Sequence, residues 1–215
     1  MSAGDPLPAP DPVRVHDGWT ADAVADWLAG RLGRRLRSSP GEVAITVPGG
    51  ATPFPILEAL VSKPLPFPRL TVWPNDERVV PDGHAASNGA RLRALFAPVG
   101  AAVATLEPGA SPPRFALTWI GMGADGHIAS LFPSSEPDPR DSEAIRRITP
   151  EPLPPEAPFA RITLTLPALL NCEEVLLVIS GAGKRRVLED ALAGRSDLPI
   201  ARFLRHRRQP MTCFA

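Results

Sequence analysis

The chain has 215 residues, 44% of them hydrophobic, enough to bury a real core in one domain. Its 23 basic and 23 acidic residues balance to zero formal charge, so composition gives no footprint for nucleic acid or an anionic membrane. No run of about 18 apolar residues exists, which excludes a transmembrane helix, and Cys172 and Cys213 are too few and too far apart for a disulfide framework, fitting reduced cytoplasmic thiols.

Residues 1–14 read as a flexible lead-in, with the basic and apolar regions of a signal peptide both missing from MSAGDPLPAPDP. Residues 15–215 read as a single α/β domain. From Thr20 to about Arg37, Val24, Trp27, Leu28, Leu32 and Leu36 fall at helical spacing. Thr20 is placed to cap that helix and Asp22 suits its first turn. EVAITV (42–47) is a β-branched strand, and after PGGAT a helix opens at Pro53. LTVW (70–73) is a second strand leading into the polar segment PNDERVVPDGHAASN, then a helix from about Asn88 to Phe96. AAVATLE is a short strand candidate and ALTWI (116–120) a stronger one. A proline-rich loop follows Phe132, then strands at ARITLTL (160–166) and EVLLVIS (174–180), then a helix from Lys184 to Ala193.

Strands alternate with helices, and the strands are nearly continuous apolar runs. That pattern predicts a mostly parallel sheet covered on both faces. In such folds ligands bind beyond the carboxyl ends of the strands. The motifs PGGATP, NDER, GMGADGH and SGAGK all follow strands and are expected on one rim.

Gly121-x-Gly123-x-x-Gly126 matches the dinucleotide fingerprint in spacing. Its context does not match: a helix after Gly126 has room only to about Phe132, and no strand with a terminal acid follows. SGAGKRR fails as a phosphate loop, because Val178 stands where the first glycine belongs and Arg185 where a Ser or Thr holds magnesium. No CxxC, HExxH or paired-carboxylate spacing suggests a metal, and no GxSxG nucleophile elbow is present.

What remains is a site for anions beside a histidine. Gly49, Gly50, Ala51 and Thr52 lead into a helix start, where free N–H groups and the helix dipole favour negative charge. Thr52 is expected as the N-cap. Asp76-Glu77-Arg78 combines carboxylates with a guanidinium suited to phosphate or carboxylate. Lys184, one of two lysines, lies at a helix start, where a cation is unfavourable without an anion nearby. His127 is the acid–base candidate, with Asp125 two residues before it. His84 reads as a loop residue, and Arg161 either as part of the site or as a solvated strand start.

GGATP, DERVVP…SN, GMGADGHIASLFP, RITLTLPALLN and SGAGKRRVLEDAL, in this order, resemble 6-phosphogluconolactonases of the glucosamine-6-phosphate isomerase/6-phosphogluconolactonase family. The resemblance implies a Rossmann-like three-layer α/β sandwich and hydrolysis of 6-phosphoglucono-δ-lactone in the oxidative pentose phosphate pathway. It implies His127 as general base, supported by Asp125 or Asp76, and Arg78 closing over the substrate. Arg161, Lys184 and the Gly49–Thr52 backbone would cradle the phosphate. The partner is the sugar-phosphate lactone, with no cofactor and no metal. A cytoplasmic monomer, or at most a weak homodimer, is expected. Glucosamine-6-phosphate deaminases share GGxTP, a DE pair and GxDGH. They read DEY and GHIAFNEP where this chain reads Asp76-Glu77-Arg78 and Gly126 to Pro133. Two departures from the lactonase pattern stand out: a short region between Phe96 and Ala116, and a C-terminus, RRQPMTCFA, without the usual terminal strand motif.

Overall fold

A computed structural model describes residues 12–81, 83–135, 137–153 and 157–215. Most of the lead-in thus lies outside the described residues. Its end does not: Val13 and Arg14 belong to strand β1 (Val13–His16), which hydrogen-bonds to the last strand of the chain. The lead-in boundary therefore moves back, because pairing across the whole chain length orders a segment with no local signal of its own.

Helix α1 (Ala21–Ser38) forms as its apolar stripe predicts. The Thr20 hydroxyl accepts from the Ala23 N–H at 3.2 Å, and Val24, Leu28, Leu32 and Leu36 are fully buried, each worth about 1.5–3 kcal/mol of hydrophobic stabilisation. Strand β2 (Val43–Val47), helix α2 (Pro53–Val61), strand β3 (Leu70–Pro74), strand β4 (Asp76–Arg78) and helix α3 (Asn88–Phe96) follow. Between Phe96 and Ala116 there is one 3-10 turn and the two-residue strand β5 (Ala102–Val103), but no α-helix. Then come β6 (Leu117–Ile120), β7 (Ile145–Ile148), β8 (Arg161–Leu164), α4 (Leu166–Leu170), β9 (Val175–Val178), α5 (Ala182–Leu192), α6 (Pro199–His206) and β10 (Met211–Phe214).

Seven strands make a wholly parallel sheet in the order β1-β10-β9-β6-β2-β3-β5. The period-2 alternation of strands divides their side chains between two cores. Leu176 and Val178 of β9 join α1, α2 and α3 on one face. Val175 and Leu177 join α4, α5 and α6 on the other. This is the expected three-layer α/β sandwich. None of the helices among the described residues is long and apolar enough to cross a membrane.

Three features depart from the sequence reading. ARITLTL does not enter the main sheet: β8 lies in a separate antiparallel sheet, β4-β8-β7, and the DER motif is itself a strand of it. The atypical C-terminus is a buried strand after all, with Met211 to Phe214 seated between β1 and β9. Helix α5 starts two residues before Lys184, behind Gly181 at φ +92°. Cys172 and Cys213 are free and buried, and burial pushes their thiols up to about 11 and about 12.

Candidate active site

Loops leaving β2, β3, β6 and β9 meet at the carboxyl rim around a cleft of about 540 Å³. Gly49, Gly50, Ala51, Thr52, Asp76, Arg78, His127, Arg161 and Lys184 all line it. Asp125 reaches it through His127. The expected site residues are thus brought to one place, Glu77 excepted, although the segments are far apart in the chain.

The PGGAT loop is shaped by its glycines. Gly50 has φ +89°, and a Cβ on Gly49 would stand 2.3–2.5 Å from the Asn88 side chain. Thr52 occupies the N-cap position before Pro53, but its backbone is already helical (φ −64°, ψ −44°) and its hydroxyl makes no capping bond. Thr52 thus stands at the expected N-cap position but supplies no side-chain acceptor, so it caps none of the first N–H groups of α2.

The glycine fingerprint has a different purpose from dinucleotide binding. No helix follows Gly126; the chain turns and forms an Ile128–Leu131 bridge. The His127 Nδ1 and Asp125 Oδ1 atoms are 2.6 Å apart, and the same oxygen accepts from the His127 N–H at 3.2 Å. A Cβ on Gly123 would lie 2.2 Å from the imidazole and 2.6 Å from Asp125 Oδ1, so only glycine leaves room for this pair. Gly126, at φ +78°, lies against Leu198, and its carbonyl accepts from the Ile200 N–H at 3.1 Å, fastening the loop to α6. Phe132 stacks obliquely on the imidazole, ring centroids 4.9 Å apart. In the neutral ring a carboxylate this close to Nδ1 favours the tautomer with the proton on Nδ1, which leaves Nε2 as the acceptor.

The acids of DER divide their work. Glu77 accepts from the backbone N–H groups of Asn88 (2.8 Å) and Gly89 (2.6 Å) and from the Ser87 hydroxyl (3.0 Å), capping α3. Asp76 is buried, 7% exposed, and accepts from the Ser130 hydroxyl at 2.5 Å and the Asn88 amide at 3.3 Å. No direct contact joins it to His127 among the described residues, so of the two candidate carboxylates Asp125 is the one paired with the ring. His84 stays out of the cleft; its Nδ1 accepts from the Ala86 N–H at 3.0 Å.

The cations are arranged differently from ordinary surface pairs. Arg78 and Arg161 are direct partners across β4 and β8, a juxtaposition of like charges that is destabilising by itself. Arg161 is only 3% exposed, which removes the alternative of a solvated strand start. Its guanidinium donates to the carbonyls of Ala157 (2.7 Å) and Phe159. Burial, and then the charge of Arg78, push it below the usual arginine range, with Asp76 pulling the other way. Arg78 donates to the Ala86 carbonyl at 2.9 Å, while its buried Nε has no hydrogen-bond partner. Lys184 is half-buried at the start of α5 with no ion-pair partner among the described residues. Three cations thus face one lining carboxylate, and an arriving anion relieves their repulsion. No three His, Cys, Asp or Glu side chains among the described residues gather as a metal-ligand set.

Ser130, Asn88 and Asn75 were not singled out from the sequence. Asn75 ties three strand ends together, accepting from the Thr46 hydroxyl at 2.7 Å and donating to the Trp119 carbonyl at 2.9 Å. Asn75 and Asn88 lie inside the polar segment 74–88, where nothing local marks them off from their neighbours, and Ser130 is a lone polar residue between Ala129 and Leu131.

The family described as glucosamine-6-phosphate isomerases/6-phosphogluconolactonase matches residues 19–101 and 89–212. A 6-phosphogluconolactonase of Pseudomonas putida is 35% identical over 224 residues, covering 92% of both chains. Among solved structures, a 6-phosphogluconolactonase from Thermotoga maritima superposes with a TM-score of 0.80 at 22% identity, over 94% of this chain and 99% of its own. A monomeric glucosamine-6-phosphate deaminase shares the fold at a TM-score of 0.72 and 16% identity, over 94% of this chain and 96% of its own. With its fold, its cleft and a 35% identical relative all agreeing, the chain belongs to the glucosamine-6-phosphate isomerase/6-phosphogluconolactonase family.

Proposed function

We propose that this protein is a 6-phosphogluconolactonase, hydrolysing 6-phosphoglucono-δ-lactone to 6-phosphogluconate in the second step of the oxidative pentose phosphate pathway. The observation that carries this reading is the Asp125–His127 pair, 2.6 Å apart, opening on a cleft where three cations face a single lining carboxylate, Asp76. The names of the full-length relatives support it.

In this reading His127 Nε2 takes a proton from water as that water attacks the lactone carbonyl. Asp125 holds the ring and balances the imidazolium that forms. The tetrahedral intermediate then collapses: the bond from the former carbonyl carbon to the ring oxygen breaks, and the imidazolium returns its proton to that oxygen. General acid–base catalysis of this kind contributes about 10²–10⁴-fold. Lys184, Arg161 and the start of α2 hold the phosphate, and Arg78 closes on the sugar-acid end. Asp76, with a serine hydroxyl and an amide already donating to it, suits an orienting role better than proton abstraction.

The deaminase reading has less support. In GHIAFNEP the seventh residue is a glutamate; here it is Phe132, whose ring packs on the imidazole. The test is to generate 6-phosphoglucono-δ-lactone in slightly acidic buffer and follow its loss with and without protein, beside ammonia release from glucosamine 6-phosphate. Accelerated lactone loss without ammonia is expected; ammonia release without lactone loss would overturn the assignment.

A further inference from the structure

Three residues after His127, the chain does something the proposed chemistry does not require. Ser130 turns its side chain away from solvent, 1% exposed, and gives its hydroxyl proton to Asp76 Oδ2 at 2.5 Å. Its backbone N–H donates to the Thr163 hydroxyl at 3.2 Å. Thr163 and Asp76 are direct partners across β8 and β4. The loop carrying His127 is therefore stitched to both strands that carry the arginine pair. Ala129, between them, has φ +49°, a left-handed conformation rare for a residue with a Cβ. Such a conformation persists only where its surroundings over-determine it, and it clusters at functional sites. Here it lets the imidazole open on the cleft while Ser130, at the wall of the same cleft, turns its hydroxyl to the buried Asp76.

The far side of Asp76 is held as well. The Asn88 amide donates to its carbonyl at 2.9 Å and its Oδ1 at 3.3 Å, and Asn88 fills the space left by the missing Cβ of Gly49. A continuous chain of contacts thus runs from the His127 loop through Ser130, Asp76 and Asn88 to the PGGAT loop. Without the Ser130 hydroxyl, the Asp76 carboxylate loses its shortest donor. It then gains freedom to turn toward Arg161 or Arg78 and neutralise a cation meant for substrate.

We propose that Ser130 is a positioning residue: by donating to Asp76, it keeps that carboxylate off the arginine pair and holds the His127 loop in register with the phosphate-binding loops. The inference rests on the lactonase reading of the same cleft, and its test separates the two. Ser130→Ala, Asp76→Asn and the double variant are compared for kcat and KM on the lactone and for melting temperature. A hydrogen bond to a charged group predicts that Ser130→Ala lowers kcat/KM about 10–100-fold. The double variant should stay within about twofold of the more damaged single variant, since the hydroxyl acts through the carboxylate. Ser130→Cys, of similar volume but a weak donor, should fall between serine and alanine. The ring ¹⁵N signals of His127 should move or broaden in Ser130→Ala at temperatures where the fold is intact. Wild-type kcat/KM in Ser130→Ala with only a lower melting temperature, or strictly multiplicative losses in the double variant, would overturn the inference. If the wild type hydrolyses no lactone, the functional reading fails by itself, and the His127 signals still decide whether Ser130 positions the ring: unchanged signals reject it.

Discussion

The two rims of the main sheet carry cavities of nearly equal size, about 540 Å³ at the carboxyl ends and about 530 Å³ at the amino ends, and arginines line both. At the amino rim Arg31 meets Glu174 at 3.5 Å and Arg35 meets Glu173 at 2.6 Å, beside Arg14 and Arg34. Arg35 lies in the last turn of α1, where positive charge also complements the helix dipole. At the carboxyl rim Arg78 faces Arg161 across two strands, and Lys184 sits at a helix start, where the dipole disfavours it. Equal volume and similar composition thus conceal different pairing. Two of the amino-rim arginines, Arg31 and Arg35, have glutamate partners, whereas none of the three carboxyl-rim cations forms an ion pair among the described residues.

Variants at the carboxyl rim should break function with little loss of stability. His127→Ala is expected to cost about 10²–10⁴-fold in kcat while the melting temperature holds, measured by lactone hydrolysis beside thermal unfolding. Gly123→Ala comes next. Its new Cβ, 2.2 Å from the imidazole, must displace the ring, and a misplacement of about 1 Å costs about 100-fold in kcat. Product binding should survive in both.

Variants at the amino rim should do the reverse. Arg35→Ala breaks a partly exposed ion pair worth about 0–1 kcal/mol, lowering the melting temperature by at most about 2–4 °C with kcat/KM unchanged. Glu174 sharpens the contrast through pH. Burial raises its pKa above the ordinary 4.5 despite Arg31, Arg34 and Arg14. A carboxyl whose folded pKa is raised binds its proton more tightly when folded. Its cost to stability is therefore absent below 4.5 and grows as pH rises through the raised value. Glu174→Gln should be slightly more stable than wild type at neutral pH, and the gain should vanish near pH 4 in paired unfolding curves.

How much of this was legible depended on how local each determinant is. The α1 stripe and its Thr20 cap are written within single helical turns and were readable as they stand. PGGAT, DER and GADGH could be placed on one rim because each follows a strand of the parallel sheet, and residues of all three line the same cleft. Strand β10 was not, because MTCF becomes a strand only by docking between β1 and β9, far away in sequence. The charged IRRI of β7 and the three residues of β4 depend likewise on β8 for their pairing. Within the site, the three neighbours in DER have separate fates that no spacing rule reveals: Asp76 to Ser130, Glu77 to the start of α3, Arg78 to the cleft. Ser130 carries no local signal of its own, and its contact emerges only once Asp76 is known to lie beside it.

The most direct test of the contrast between the rims is calorimetric titration of 6-phosphogluconate into the wild type, Lys184→Ala and Arg31→Ala. The account predicts one site, weakened about tenfold or more by Lys184→Ala, as expected for a lost charge-assisted contact, and untouched by Arg31→Ala. Binding that survives Lys184→Ala but is lost in Arg31→Ala would place the ligand at the amino rim and contradict it.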